Sequence, residues 1–257
     1  MARYVGLINY TPEGLAESLS YKVHKDHTVS LLLTQFALDE TRPSTQDPYL
    51  LGAQLRWDAK WSGHLASSVG VAGLTIRHPE NLTVAAVPYV GQGNTRNGGV
   101  LVNDFNAIYA DAGLTYTFSK APLNQGEFPV YVYGNLIHNS GADTDNDGYG
   151  VGVRFGSAKK KGQWELNYLW TSLESDAWYD QFVESDFGAV WTAAPASGRT
   201  GYFSGTNVRG HWIKGTYNIF DQWSLSVAYF NTELIKDSPA GVGSNTDRLF
   251  IETVLKF

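Results

Sequence analysis

Apolar residues alternate with small or polar ones along most of this chain in runs of about ten, the length a tilted β-strand needs to cross bilayer hydrocarbon. The clearest run sets Leu51, Ala53, Leu55, Trp57, Ala59 and Trp61 on one face against Gly52, Gln54, Arg56, Asp58 and Lys60 on the other. The same two-residue period sets Tyr149, Val151, Val153 and Phe155 against Gly150, Gly152 and Arg154. It sets Trp164, Leu166, Tyr168 and Trp170 against Glu165, Asn167 and Thr171, and Leu249, Ile251, Thr253, Leu255 and Phe257 against Arg248, Phe250, Glu252, Val254 and Lys256. A soluble sandwich would have to bury one face of each strand in its core. A closed cylinder in lipid turns the apolar face outward and leaves the polar one in a wet lumen.

The pattern predicts twelve strands, at 2–10, 14–24, 27–38, 49–62, 64–77, 103–119, 127–138, 147–157, 162–174, 206–220, 222–235 and 246–257. Short connections at 25–26, 62–63, 159–161 and 221–222 alternate with longer ones at 39–48, 78–102, 139–146, 175–205 and 236–245. Turns on one side of a membrane and loops on the other produce this rhythm. A short link near Pro12 and Glu13 and a longer one at 120–126 depart from it. Helix-period spacing is absent outside 175–189, and nothing marks a linker. The expectation is therefore an all-β fold, one antiparallel transmembrane β-barrel domain over 1–257. Closing twelve strands requires 2–10 to pair with 246–257, because each unpaired edge group in lipid costs several kcal/mol.

Composition narrows the setting. The 12 Phe, 15 Tyr and 8 Trp suit a protein with two aromatic belts, one at each membrane interface. With no Cys there is neither a disulfide framework nor a thiolate metal site. A net charge of -6 supplies no basic surplus for a nucleic-acid partner. No apolar run reaches the roughly 18 residues of a membrane helix. Met1 is followed almost at once by Tyr4-Val5-Gly6-Leu7-Ile8, with no signal-peptide cleavage site, so a mature form, or a fragment with an added Met, is expected.

The final residues, Thr246 to Phe257, look like the terminal strand of outer-membrane barrels, whose closing aromatic, here Phe257, is read by the barrel-assembly machinery. More widely, the chain resembles the bacterial outer-membrane "putative porin" family. The matching stretches are VNDFNAIYADAGLTYTF (102–118), FPVYVYGNLIHN (128–139), YGVGVRFGSAKKKGQWELNYLW (149–170), ESDF (184–187), GTNVRGHWIKGTYNIFDQWSLSVAYFNTE (205–233) and DRLFIETVLKF (247–257). The resemblance implies an outer-membrane diffusion channel with no catalytic residues to carry over. Members of the family usually carry further N-terminal strands, so the resemblance leaves two expectations open, a complete barrel of about twelve strands and the C-terminal portion of a larger barrel of about sixteen.

Alternation turns Arg56, Asp58, Lys60, Asp111, Arg154, Glu165, Lys214, Arg248, Glu252 and Lys256 toward the lumen. Both signs are present, which fits a channel of weak ion preference or, equally, charges that pair across strands to brace a narrow bore. Asp143, Asp145 and Asp147 before Gly148 reproduce the first half of a calcium loop, but Arg154 stands where the bidentate Glu belongs, and an acidic hairpin explains the segment as well. Trp178, Tyr179, Phe182, Phe187, Trp191, Tyr202 and Phe203 equip the 175–204 connection to fold inward as a constriction or to offer platforms to a sugar. His138, Asn139 and Ser140 adjoin, yet neighbours on a strand face opposite ways and cannot form a nucleophile–base pair by adjacency. His24, His27, His64, His78 and His211 fall near strand ends or loops, and no phosphate loop or zinc-ligand spacing occurs.

The expected function is a porin-like channel in the bacterial cell outer membrane for passive diffusion of small hydrophilic solutes or ions. Lipid and the barrel-assembly machinery are the expected partners, with no cofactor and no enzymatic activity. The alternative is a closed structural or ligand-binding barrel serving as an adhesin, receptor or scaffold. A soluble all-β carbohydrate-binding protein is a third reading, and exposed aromatic stripes argue against it.

Overall fold

A computed structural model describes residues 13–40, 46–82, 93–184, 186–188, 205–236 and 245–256. The strands, numbered in chain order, are β1 (Glu13–His24), β2 (His27–Ala37), β3 (Tyr49–Lys60), β4 (Leu65–Arg77), β5 (Arg96–Asn97), β6 (Val100–Leu101), β7 (Asn106–Phe118), β8 (Phe128–Asn139), β9 (Asp147–Gly156), β10 (Trp164–Leu173), β11 (Val208–Phe220), β12 (Trp223–Leu234) and β13 (Thr246–Leu255). Eleven of them form one antiparallel meander in chain order, with β5 and β6 set apart as a hairpin. Every expected strand from 14–24 onward is present within a few residues. The segment 2–10, its pairing with the last strand, and Phe257 lie outside the described residues.

The β5–β6 hairpin stands inside a connection for which the sequence predicts only a loop. Gly98 and Gly99, with φ of 58° and 87°, supply the two left-handed residues a tight hairpin turn requires.

The alternation sorts side chains as the sequence predicts. Outward Leu55 is 57% exposed, Val151 51% and Ile251 71%, whereas inward Thr34, Asn135, Asn167, Thr171, Ser226 and Thr232 are buried. Aromatic residues collect on this outer face at the short-turn end, where Trp57, Trp61 and His27 meet edge to face or tilted and Phe220 stacks on Trp223. An exposed apolar surface eleven strands wide is stable only against lipid. The fold class is thus all-β, the wall of an antiparallel transmembrane β-barrel.

Register shows how the wall is tilted and curled. One inward row of cross-strand partners runs Ser20, Ser30, Arg56, Gly70, Asp111, Asn135, Gly150, Thr171, Gly210, Thr232 and Thr246. It begins near the short-turn end of β1 and finishes at the long-loop end of β13, the stagger that strand tilt imposes on a barrel. Curvature follows from which inward side chains meet: Phe36 of β2, Leu50 of β3, Ile76 of β4, Tyr109 of β7, Ile137 of β8 and Leu173 of β10 join one buried cluster. The inner face is therefore not polar from end to end. At the long-loop end it turns apolar, because residues folded in from the connections pack there.

Candidate functional site: the inner wall and its cap

Below the cap the inward row is unbroken in character, every member being polar or glycine. Three glycines in or beside it give larger neighbours room to lie along the wall. A Cβ on Gly70 would come 2.6 Å from Asp111 Oδ1, one on Gly113 2.3 Å from Tyr131 Oη, and one on Gly152 2.3 Å from the Tyr133 ring. Tyr131 and Tyr133 stack with ring centroids 5.1 Å apart, and Tyr133 donates a hydrogen bond to Asn167 Oδ1 at 3.2 Å.

The ten charges assigned to the lumen fall into groups. Arg56 Nη1 donates to Asp111 Oδ2 at 3.0 Å, and its Nε to Asp58 Oδ1 at 3.1 Å, so one guanidinium bridges carboxylates from β3 and β7. Lys214 Nζ meets Glu252 Oε2 at 2.9 Å, spanning β11 to β13. Arg248 reaches Asp186 in the connection after β10, at 3.3 Å from Oδ1 and 3.1 Å from the carbonyl oxygen. Arg154 lies 5.2 Å from the centre of the Tyr131 ring. Glu165 faces inward between Gly156 and Thr216, while Lys60 and Lys256 are exposed near the short-turn ends of their strands. The wall thus cancels much of its own charge locally.

The cap is built from the connection 78–105 and the connection after β10. Trp178, Tyr179 and Phe182 are buried against Phe105, Leu82 and the apolar ends of β2–β4, β7, β8 and β10. Polar groups also lace the two connections together. Asn94 and Asp180 bond reciprocally, the Asn94 amide N–H to Asp180 Oδ2 at 3.3 Å and the Asp180 N–H to Asn94 Oδ1 at 2.8 Å. Arg96 Nη2 donates to Asp180 Oδ1 at 3.2 Å, and the Thr95 N–H to Asp176 Oδ1 at 2.9 Å. Asn139, fully buried at the top of β8, donates to the carbonyls of Asp104 and Asp176, both at 2.8 Å, and so ties the two connections to the wall.

Burial pushes the Asp180 carboxyl above its ordinary range, a shift opposed by Arg96 and by the Asn94 N–H. Burial, together with the Asp180 charge, pushes the neighbouring Tyr179 phenol up as well.

Of the loop aromatics marked in the sequence, Trp178, Tyr179 and Phe182 take the inward course. Phe187 packs near Phe230 in a second cluster with Val208 and Ala228, and Trp191, Tyr202 and Phe203 lie outside the described residues. Of the three candidate calcium ligands, Asp145 is held by Lys236, and Asp147 Oδ1 stands 2.8 Å from His138 Nδ1. Among the described residues no three His, Cys, Asp or Glu are grouped as a metal would need, so Asp143, Asp145 and Asp147 do not form a cage. His138 points outward and Asn139 inward, as their adjacency on a strand dictates. The sequence marks Asn139 only as a neighbour of His138 and Ser140 and does not mark the Asn94–Asp180 exchange, since nothing in their spacing distinguishes them from ordinary polar residues.

No family model matches the chain, and no curated protein matches it. Among solved structures it is similar to LpxR from Salmonella typhimurium, at 12% identity over 95% of this chain and 88% of that one, with a TM-score of 0.36. A likeness of that grade assigns neither family nor activity.

Proposed function

We propose that this chain is a barrel of the bacterial outer membrane and acts as a porin-like channel for passive diffusion of small hydrophilic solutes, narrowed at its long-loop end by the cap. The observation that carries this reading is the inward row from Ser20 to Thr246, polar or glycine on all eleven strands and backed by an apolar outer face. A protein that needed only to span lipid could fill its centre with apolar side chains throughout, and this wall instead carries a polar or glycine position on every strand. Planar-bilayer recording of the folded protein tests the proposal. Stepwise conductance supports it, and persistent silence removes it.

A second reading, a closed structural or ligand-binding barrel, is favoured by the interlocking of the cap through Asn94, Thr95, Arg96, Asp176 and Asp180. The double variant Trp178→Ala, Asp180→Ala separates the two. A silent parent whose variant conducts is a barrel shut by its cap; a parent that conducts is a channel with the cap as constriction.

A further inference from the structure

Charge is distributed along the barrel axis with opposite sign at the two ends. Among the described residues, the long connections between 38 and 188 all carry acids, among them Asp39, Glu40, Asp47, Glu80, Asp143 and Glu174. The only bases there and in 235–236 are Arg96 and Lys236, and both are already engaged, by Asp180 and Asp145. The short-turn end is the reverse. Lys25, Lys120, Lys159, Lys160, Lys161 and Lys256 stand against Asp26, Glu127 and Asp221. Between the two ends the wall contributes little net field, because the four bases Arg56, Arg154, Lys214 and Arg248 are balanced by the four acids Asp58, Asp111, Glu165 and Glu252.

Resting on the channel reading, we propose that the mouths, and not the lumen, set selectivity: an acidic long-loop mouth gathers small cationic solutes, and a basic short-turn mouth makes the pore rectify. Exposed carboxylates at Glu40, Asp47 and Asp143 raise the local concentration of cations at the entrance and lower that of anions. Such a field reaches about 10 Å at 0.1 M salt and about 3 Å at 1 M, so the preference belongs to dilute solution. The lysines at the opposite end repel the same cations on entry from that side. Current carried by cations is therefore larger in the direction from long loops to short turns. A lumen lined by unmatched charges of one sign would instead hold its preference at high salt and conduct symmetrically.

Two measurements test this. In bilayers under a potassium chloride gradient, the reversal potential at 0.1 M should report a cation preference of about fivefold that falls toward unity at 1 M. The triple variant Glu40→Gln, Asp47→Asn, Asp143→Asn should abolish the preference, and Lys159→Gln, Lys160→Gln, Lys161→Gln should weaken rectification. An anion preference, or a cation preference untouched by the triple variant, overturns the proposal while leaving the channel in place.

The second measurement needs no conductance. The chain has no Cys, so single variants Thr144→Cys and Ala158→Cys report the field at each end of the folded barrel in detergent. Thr144→Cys should react faster with a cationic methanethiosulfonate than with an anionic one, and Ala158→Cys should show the opposite order. Equal ratios at the two positions refute the axial field. Opposite ratios in a protein that never conducts retain the field and reject the channel.

Discussion

Replacing one outward side chain in mid-strand with a cation tests the orientation of the wall quantitatively. Leu55 lies halfway along β3, is 57% exposed, and is flanked in register by Leu31 and by Val71, itself 51% exposed. If those exposed surfaces meet hydrocarbon, Leu55→Arg places a guanidinium near the bilayer midplane, at a cost of about 2–4 kcal/mol. If they met water, the same change would fall within about 0.5 kcal/mol, as exposed surface substitutions do. Gln54→Arg is the matched control, since Gln54 lies at the same depth as Leu55 and faces inward, opposite Leu32 and Ala72; it should cost less than about 1 kcal/mol. Urea unfolding of the barrel refolded in phospholipid vesicles, followed by tryptophan fluorescence, gives both numbers. The midpoint should fall for Leu55→Arg with an unchanged slope, which reports stability and not a change in the unfolded state. A Leu55→Arg variant as stable as the parent would refute the lipid-facing assignment.

Three further outcomes follow from particular contacts. The raised Asp180 carboxyl means that the folded cap holds a proton more tightly than the unfolded chain does, so this group's contribution to stability falls as pH rises above the ordinary Asp value. Hydrogen exchange across 174–184, corrected for intrinsic rates, should show protection maintained or increased between pH 7 and pH 5; loss of protection would contradict it. Arg56→Met leaves Asp58 and Asp111 without their shared cation and should cost about 2 kcal/mol in the same urea assay, partly restored by adding Asp111→Asn. Gly152→Val drives a side chain into the Tyr133 ring and should cost about 1–3 kcal/mol, recovered when Tyr133 is also cut to Ser.

Strands and their facing are legible in this sequence because a side chain's side of a sheet depends only on parity, and membrane solvation makes parity visible as apolar against polar. Leu51 to Trp61 could be read that way with no knowledge of neighbours. The cap could not. Its members, Leu82, Phe105, Trp178 and Phe182, come together through contacts distant in sequence, and their apolar character alone does not say whether they fold inward or rest on the membrane. One local signal was available: at Leu50-Leu51 and Leu136-Ile137 apolar residues occupy both parities at the long-loop end of a strand, which marks an inner face that something covers. The β5–β6 hairpin is too short to carry a period, and Gly98-Gly99 was its only trace. The lumen charges were found by parity, but their pairing depends on register across two strand intervals, as between Arg56 and Asp111, which sequence spacing does not encode. The opposed charges of the two ends needed only the order of turns and loops, and emerged once that order was fixed.

The most direct measurement is a nitroxide scan of β3 from residue 51 to residue 58 in lipid vesicles, reading the accessibility of each label to oxygen and to a water-soluble nickel chelate. Positions 51, 53, 55 and 57 should be open to oxygen and closed to nickel, with positions 52, 54, 56 and 58 showing the opposite order. Nickel access at both parities, or no two-residue period at all, would contradict a wall whose apolar face meets lipid.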